Sequence, residues 1–146
     1  MNGTETPSTP PGSEADRADY RRFLAEYGLS EGYVRSVVED LSDHAEMPGG
    51  FDRFVRAPSA IHGDGLFAVV DIPAGSLVAP ARIGDRRTVA GRFTNHARAP
   101  NCVFVETAEG GLDMRAARDV VAGEELTVNY RQVASVNPYR RVPEPK

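Results

Sequence analysis

The chain has a single cysteine, a single lysine and no tryptophan. A lone thiol, Cys102, cannot close an internal disulfide, nor can it seed a zinc site built on cysteine clusters. A reducing, cytoplasmic setting is the default expectation for such a chain. Long hydrophobic runs are also missing: the longest, such as LFAVV at Leu66–Val70, fall far short of the roughly 20 residues of a membrane span. The opening MNGTETPSTPPGSEADRAD has neither a basic patch nor an apolar core, so no signal peptide is expected. A basic stripe is lacking too. Up to Gly50 there are ten acidic and four basic side chains; from Phe51 onward there are eleven and thirteen, giving −6 and +2 within the overall −4. That distribution argues against nucleic acid as the main partner.

What is present fits one domain with a modest core: 146 residues, 40% of them hydrophobic. Met1–Gly12 is rich in Pro, Ser, Thr and Gly and buries too little surface to order itself. Ser13 or Asp16 can cap a helix whose Tyr20, Phe23, Leu24 and Tyr27 share one face, and Gly28 can end it. Ser30 can start a second helix presenting Val34, Val37, Val38 and Leu41. This helical hairpin is too small to fold alone and is expected to dock its apolar stripe on the remainder of the chain. After Met47-Pro48-Gly49-Gly50 the texture becomes short strands: Phe51–Val55, GLFAVV, SLVA, Cys102–Thr107, Leu112–Ala117 and ELTVNY. Glu109-Gly110-Gly111 fits a hairpin turn. An internal echo, DIPAGSLV at Asp71–Val78 and DVVAGEEL at Asp119–Leu126, reads as two strand–turn–strand units with Gly at the turn. The expected division is a disordered tail at 1–15, a helical hairpin at 16–48, a mostly β unit at 51–132 and a tail at 133–146.

Three stretches carry candidate chemistry. His62-Gly63-Asp64-Gly65 lets backbone approach a ligand closely, although most such glycine pairs are simply turns. No third glycine and no following helix make it a dinucleotide fingerprint. The second stretch, RFTNHARAPN at Arg92–Asn101, places Asn95 and His96 between a Phe and a Pro-Asn turn. No Ser or Cys nucleophile sits in a recognisable setting, and His44, His62 and His96 have no metal-like spacing, so no metal is expected. In the third, Gly123–Tyr130, paired acids lead into a strand ending in Tyr130; Glu124 and Glu125 read as solvated turn charges.

Taken in order, GxG-L-F-A with D-I-P-A-G, then R-F-x-N-H-x-x-x-P-N, then R-D-x-x-x-G-E-E-L-T-x-x-Y resemble the SET-domain family of protein lysine methyltransferases over roughly Phe51–Gln132. The compact form resembles the minimal SET proteins of bacteria and viruses. The resemblance implies a mostly β, SET-type β-clip fold with a pseudoknot-like C-terminal segment, in which the Asn-His stretch threads beside the final strand. It also implies S-adenosyl-L-methionine as cofactor, held by backbone of Gly63, Asp64 and Gly65, by the Asn95 side chain and by His96 largely through its backbone. Pro100 and Asn101 would stiffen and cap the turn. Tyr130 would be the catalytic tyrosine, contacting both cofactor and substrate, and the partner would be a protein substrate bearing a lysine. Bringing a free lysine from a pKa of about 10.4 to near 7 asks for roughly 4.6 kcal/mol; the matched blocks offer no obvious general base.

The chain also departs from the family. Only about twenty residues separate Pro73 from Asn95, where many members carry a longer insert that walls the peptide groove and often supplies a second tyrosine; here that segment has no Tyr. Ala97-Arg98 replaces the common small-Cys pair. The N-terminal helices, or Tyr139 in the C-terminal tail, are the candidates for the missing substrate-binding wall. The scarcity of lysine reads first as codon bias toward Arg, Ala, Gly and Pro; the lesser alternative is that it suits an enzyme that must not modify itself. A non-catalytic β-clip module that binds a ligand or peptide is the alternative, and the Asn95, His96 and Tyr130 set is what separates the two.

Overall fold

The computed structural model describes residues 13–136. The expected N-terminal tail up to residue 12 and the tail beyond residue 136, with Tyr139, lie outside the described residues. Helix α1 (Ser13–Tyr27) buries Tyr20, Phe23 and Leu24 on one stripe, and Gly28 ends it at φ 67°. Helix α2 (Glu31–Glu39) is capped by Ser30, whose hydroxyl accepts from the Tyr33 N–H at 3.0 Å. It is shorter than its apolar spacing predicts: the chain leaves the helix at Asp40, and Leu41 is exposed.

The rest is short strands in two four-stranded sheets. One has the order β1-β2-β8-β5: Phe54–Pro58, Asp64–Ala68, Glu125–Val128 and Asn95–His96. The other has the order β4-β3-β7-β6: Arg86–Arg87, Leu77–Ile83, Leu112–Ala116 and Cys102–Glu106. The first strand therefore starts three residues later than expected. Leu66, Ile72, Val78, Leu112, Met114, Val120 and Leu126 fill the space between the sheets with at most 1–2% exposure. Burying each such large side chain contributes about 1.5–3 kcal/mol.

The internal echo is a structural device. Ile72 and Val120 exchange backbone hydrogen bonds at 2.8 Å, Asp119 accepts from the Ala74 N–H at 2.8 Å, and Asp71 accepts from the Ala122 N–H at 2.9 Å. Each turn caps the other. The positive φ values of Gly75 (84°) and Gly123 (98°) make both turns possible.

The pseudoknot-like crossing lies where β5 runs parallel to β8, with Asn95 beside Thr127 and His96 beside Val128. Asn101 locks it: its Oδ1 accepts from the Thr127 N–H at 2.9 Å and its Nδ2 donates to the Glu125 carbonyl at 2.8 Å. The final strand stops at Val128, and Tyr130 opens helix α4 (Tyr130–Val136), with the Asn129 side chain accepting from the Arg131 N–H. A second unforeseen helix, α3 (Val89–Phe93), is capped by Thr88 and leads into the Asn-His stretch. Both are too short to leave a helical period in the sequence.

The helical hairpin closes over this end of the β unit. Arg87, 7% exposed, holds Asp43 through two hydrogen bonds of 2.7 and 2.8 Å and donates to the Val37 carbonyl at 2.8 Å. Arg92 donates to the Val38 carbonyl. No helix among the described residues is long and apolar enough to cross a membrane.

Candidate active site

Gly63 turns the chain at φ 47°, which brings the His62 and Asp64 carbonyls to the Asn95 side chain. Asn95, 6% exposed, shares its Nδ2 among the His62 carbonyl (2.8 Å), the Asp64 carbonyl (3.1 Å) and Glu125 Oε2 (3.0 Å). Glu125 is thus not the solvated turn charge expected of it. It is half-buried, also accepts from Ser59 at 2.9 Å, and burial raises its pKa above the ordinary 4.5. Glu124 is also half-buried, accepting from Arg118 at 3.0 Å and from the Val121 N–H at 2.7 Å.

Gly65 permits this closeness. A Cβ there would stand 2.1 Å from Glu125 Oε2 and 3.1 Å from Asn95 Nδ2. Gly65→Ala should therefore push Glu125 off Asn95 and destabilise the fold by about 1–3 kcal/mol, the cost of an orphaned buried hydrogen-bonding group. Urea denaturation measures this directly.

His96 is 1% exposed and works through its side chain, not only its backbone. Its Nδ1 accepts from the Tyr130 N–H at 3.0 Å, one of the amides that a helix start leaves without an intrahelical partner. That bond fixes the tautomer, so Nε2 carries the proton and donates to Asp19 Oδ2 at 2.7 Å. Asp19, 4% exposed on α1, also accepts from Arg131 Nη1 at 2.9 Å, and Arg131 forms a two-point pair with Glu26 at 3.0 and 3.1 Å. The Arg131 hydrogen bond leads in holding Asp19 at about 2, against an ordinary 3.8. The acidic surplus of the N-terminal segment is spent here, on the basic β unit.

Burial holds the His96 pKa below 6.5, and a protonated ring would turn Nδ1–H against the Tyr130 N–H. The unfolded chain therefore takes up this proton first. Stability is complete above about pH 6.5 and falls as pH drops through the folded value, with Asp19 adding a second loss only below about pH 4. Melting temperatures across pH 5–8 should show a slope in wild type that His96→Asn flattens, the Asn oxygen still accepting from Tyr130.

Tyr130 donates its hydroxyl to the Thr94 carbonyl at 3.0 Å. Burial, followed by Tyr20 and Glu125, drives its pKa far above the usual phenol value, so it is a neutral hydroxyl. Two cavities meet at its ring. The larger, about 460 Å³, is walled by Tyr20, Arg56, His62, Gly63, Asp64 and Asn95. The smaller, about 190 Å³, is mostly apolar, with Phe23, Val34, Ala81, Phe104, Val128 and Val133. Val34 and Val38 of α2 line both, so the hairpin walls both cavities. Of the residues expected around the ligand, Gly63, Asp64, Asn95 and Tyr130 face the larger cavity. Gly65 and His96 sit behind its wall.

Cys102 is buried and its thiol pushed up to about 12, which leaves it unreactive. Among the described residues no three His, Cys, Asp or Glu side chains come together as a metal site requires.

Residues 80–131 match the family model of the SET domain, which supports placing the chain in the SET-domain family. The matched span holds Asn95, His96 and Tyr130 but begins after the Gly63–Gly65 turn, which joins them through Asn95. No curated protein matches the chain.

Asp19, Tyr20 and Glu125 are site residues that sequence reasoning did not single out. One signal was available for Asp19: it falls four residues before Phe23 and so interrupts the apolar stripe of α1 with a charge.

Proposed function

We propose that the protein is an S-adenosylmethionine-dependent methyltransferase acting on a lysine side chain of a protein substrate. The observation that carries this is the Tyr130 hydroxyl fixed on the Thr94 carbonyl where an apolar cavity meets a larger mixed one. The larger cavity fits the cofactor in volume, within the few hundred Å³ that small-molecule sites occupy. It also fits in chemistry: aromatic side chains, the turn at Gly63-Asp64 and the buried Asn95. Gly63, Asp64, Asn95 and Tyr130 would hold it, with Gly65 and His96 supporting them from behind. When bound, it supplies an electrophilic methyl group and a positive charge.

The chain's own residues supply orientation and dryness. The smaller cavity suits an aliphatic stem, and its apolar walls disfavour a charged ammonium, lowering the amine's pKa by desolvation. Tyr130 stays protonated, so it positions the amine through its hydroxyl oxygen and does not act as a base. Holding both partners in line supplies several kcal/mol of the barrier reduction. In this reading residues 51–132 form the methyltransferase unit, 16–48 its missing wall, and Tyr139 contributes from the tail.

Incubation with methyl-labelled S-adenosylmethionine and a protein extract tests the proposal. Label recovered as methyl-lysine is expected; label on arginine, or none, overturns it. Cofactor binding without transfer would select a non-catalytic ligand-binding module.

A further inference from the structure

An amide side chain has a donor end and an acceptor end, and its surroundings decide which way round it sits. Three oxygens converge on one end of the Asn95 amide: the His62 carbonyl at 2.8 Å, the Asp64 carbonyl at 3.1 Å and Glu125 Oε2 at 3.0 Å. Carbonyls cannot donate, so the NH2 end must face them, and Glu125 accepts beside them. That leaves Oδ1 as the end turned away. No donor among the described residues reaches it, and it is not sealed from solvent as the Tyr20 hydroxyl is. Asn95 lines the larger cavity, whereas Glu125 does not and acts on it through this amide.

Glu125 also lacks a counter-charge. Its half-buried carboxylate accepts from Asn95 and from the Ser59 hydroxyl at 2.9 Å, and no basic side chain among the described residues pairs with it. Asp64, by contrast, is paired with Arg56 at 2.8 Å. A partly buried carboxylate without a partner charge is costly, and a cation bound close by offsets that cost.

We infer that Glu125 is a positioning and specificity-determining residue: it holds the Asn95 amide with its oxygen toward the larger cavity, and the pair selects a cationic hydrogen-bond donor, the ammonium group at the amino-acid end of the methyl donor. The inference rests on the methyltransferase reading. Ser59 keeps the carboxylate on Asn95, and Gly65 leaves room for it. A neutral donor such as a ribose hydroxyl would satisfy the oxygen but leave the charge unbalanced.

The test compares two ligands on one protein, so that any loss of fold cancels. Titration calorimetry at pH 7.5 is run with S-adenosylhomocysteine and with its deaminated analogue, which keeps the nucleoside and the carboxylate. Wild type should prefer the amine-bearing ligand by about tenfold or more, as a charge-assisted hydrogen bond does. In Glu125→Ala, where the amide is free to turn, the preference should fall to within about threefold. Glu125→Gln keeps an oxygen for the Asn95 NH2 without the charge and should fall between the two; should Glu125→Ala not fold, this variant decides alone. Equal weakening of both ligands in the variants, with the wild-type preference intact, marks a merely structural role and overturns the inference. So does a wild type that binds both ligands alike, which leaves the methyltransferase reading standing. A wild type that binds neither overturns both.

Discussion

Tyr130→Phe is expected to lower methyl transfer by about a hundredfold or more while leaving cofactor affinity within about threefold. The phenol ring is held on several sides, edge-on by Tyr20 and Phe23 at 5.9 and 5.6 Å and tilted by His96 at 5.2 Å. Phenylalanine keeps those contacts and the backbone N–H bond to His96, so the cavity wall survives. What disappears is one oxygen, placed on the Thr94 carbonyl at the meeting of the two cavities. Removing a single preorganised polar group from a transition state typically costs 10²–10³ in turnover. Single-turnover rates with labelled cofactor, beside calorimetric affinities, separate the two effects. Turnover within about threefold of wild type would falsify the role assigned to this hydroxyl.

Asp19→Ala should be the most destabilising substitution outside the core, by about 3 kcal/mol, with a melting temperature lower by about 10 °C. The loss has two parts. His96 Nε2–H is left buried without an acceptor, and Arg131 keeps only its half-exposed pair with Glu26. The effect should also reach the site, because Asp19 accepts the Nε2 proton and so supports the tautomer that the Tyr130 N–H bond to Nδ1 selects. Asp19→Asn can keep an oxygen on both donors and should recover more than half of the stability. Thermal denaturation of the three proteins decides. Ala and Asn variants both within about 0.5 kcal/mol of wild type would show that the network is not holding α1 in place.

Much of the fold was legible because it is encoded locally. Two glycines at turn positions, Gly75 and Gly123, announced the paired strand–turn–strand units, and Glu109-Gly110-Gly111 announced the hairpin between β6 and β7. The apolar stripe of α1 marked the face that docks, and the resemblance carried by the motifs around Gly63, Asn95 and Tyr130 picked out residues that line the larger cavity. Spacing said less about element ends. Leu41 is apolar and in phase with α2, yet it is exposed, because the chain turns at Asp40 to bring Asp43 to Arg87.

By itself, the sequence determined the two helices and the succession of short strands, since each depends on backbone preferences and periodicity within a few residues, while the Asn95, His96 and Tyr130 set was legible only through the resemblance to the SET-domain family. Only the tertiary structure decided that Asp19 would meet His96 across 77 positions, that Glu125 would be drawn from a turn onto Asn95, and that Tyr20 would wall a cavity and not merely fill a core. The reason is physical. A carboxylate or a phenol carries the same local propensities whether water or another element covers it, and which one does is fixed only when distant surfaces close on each other.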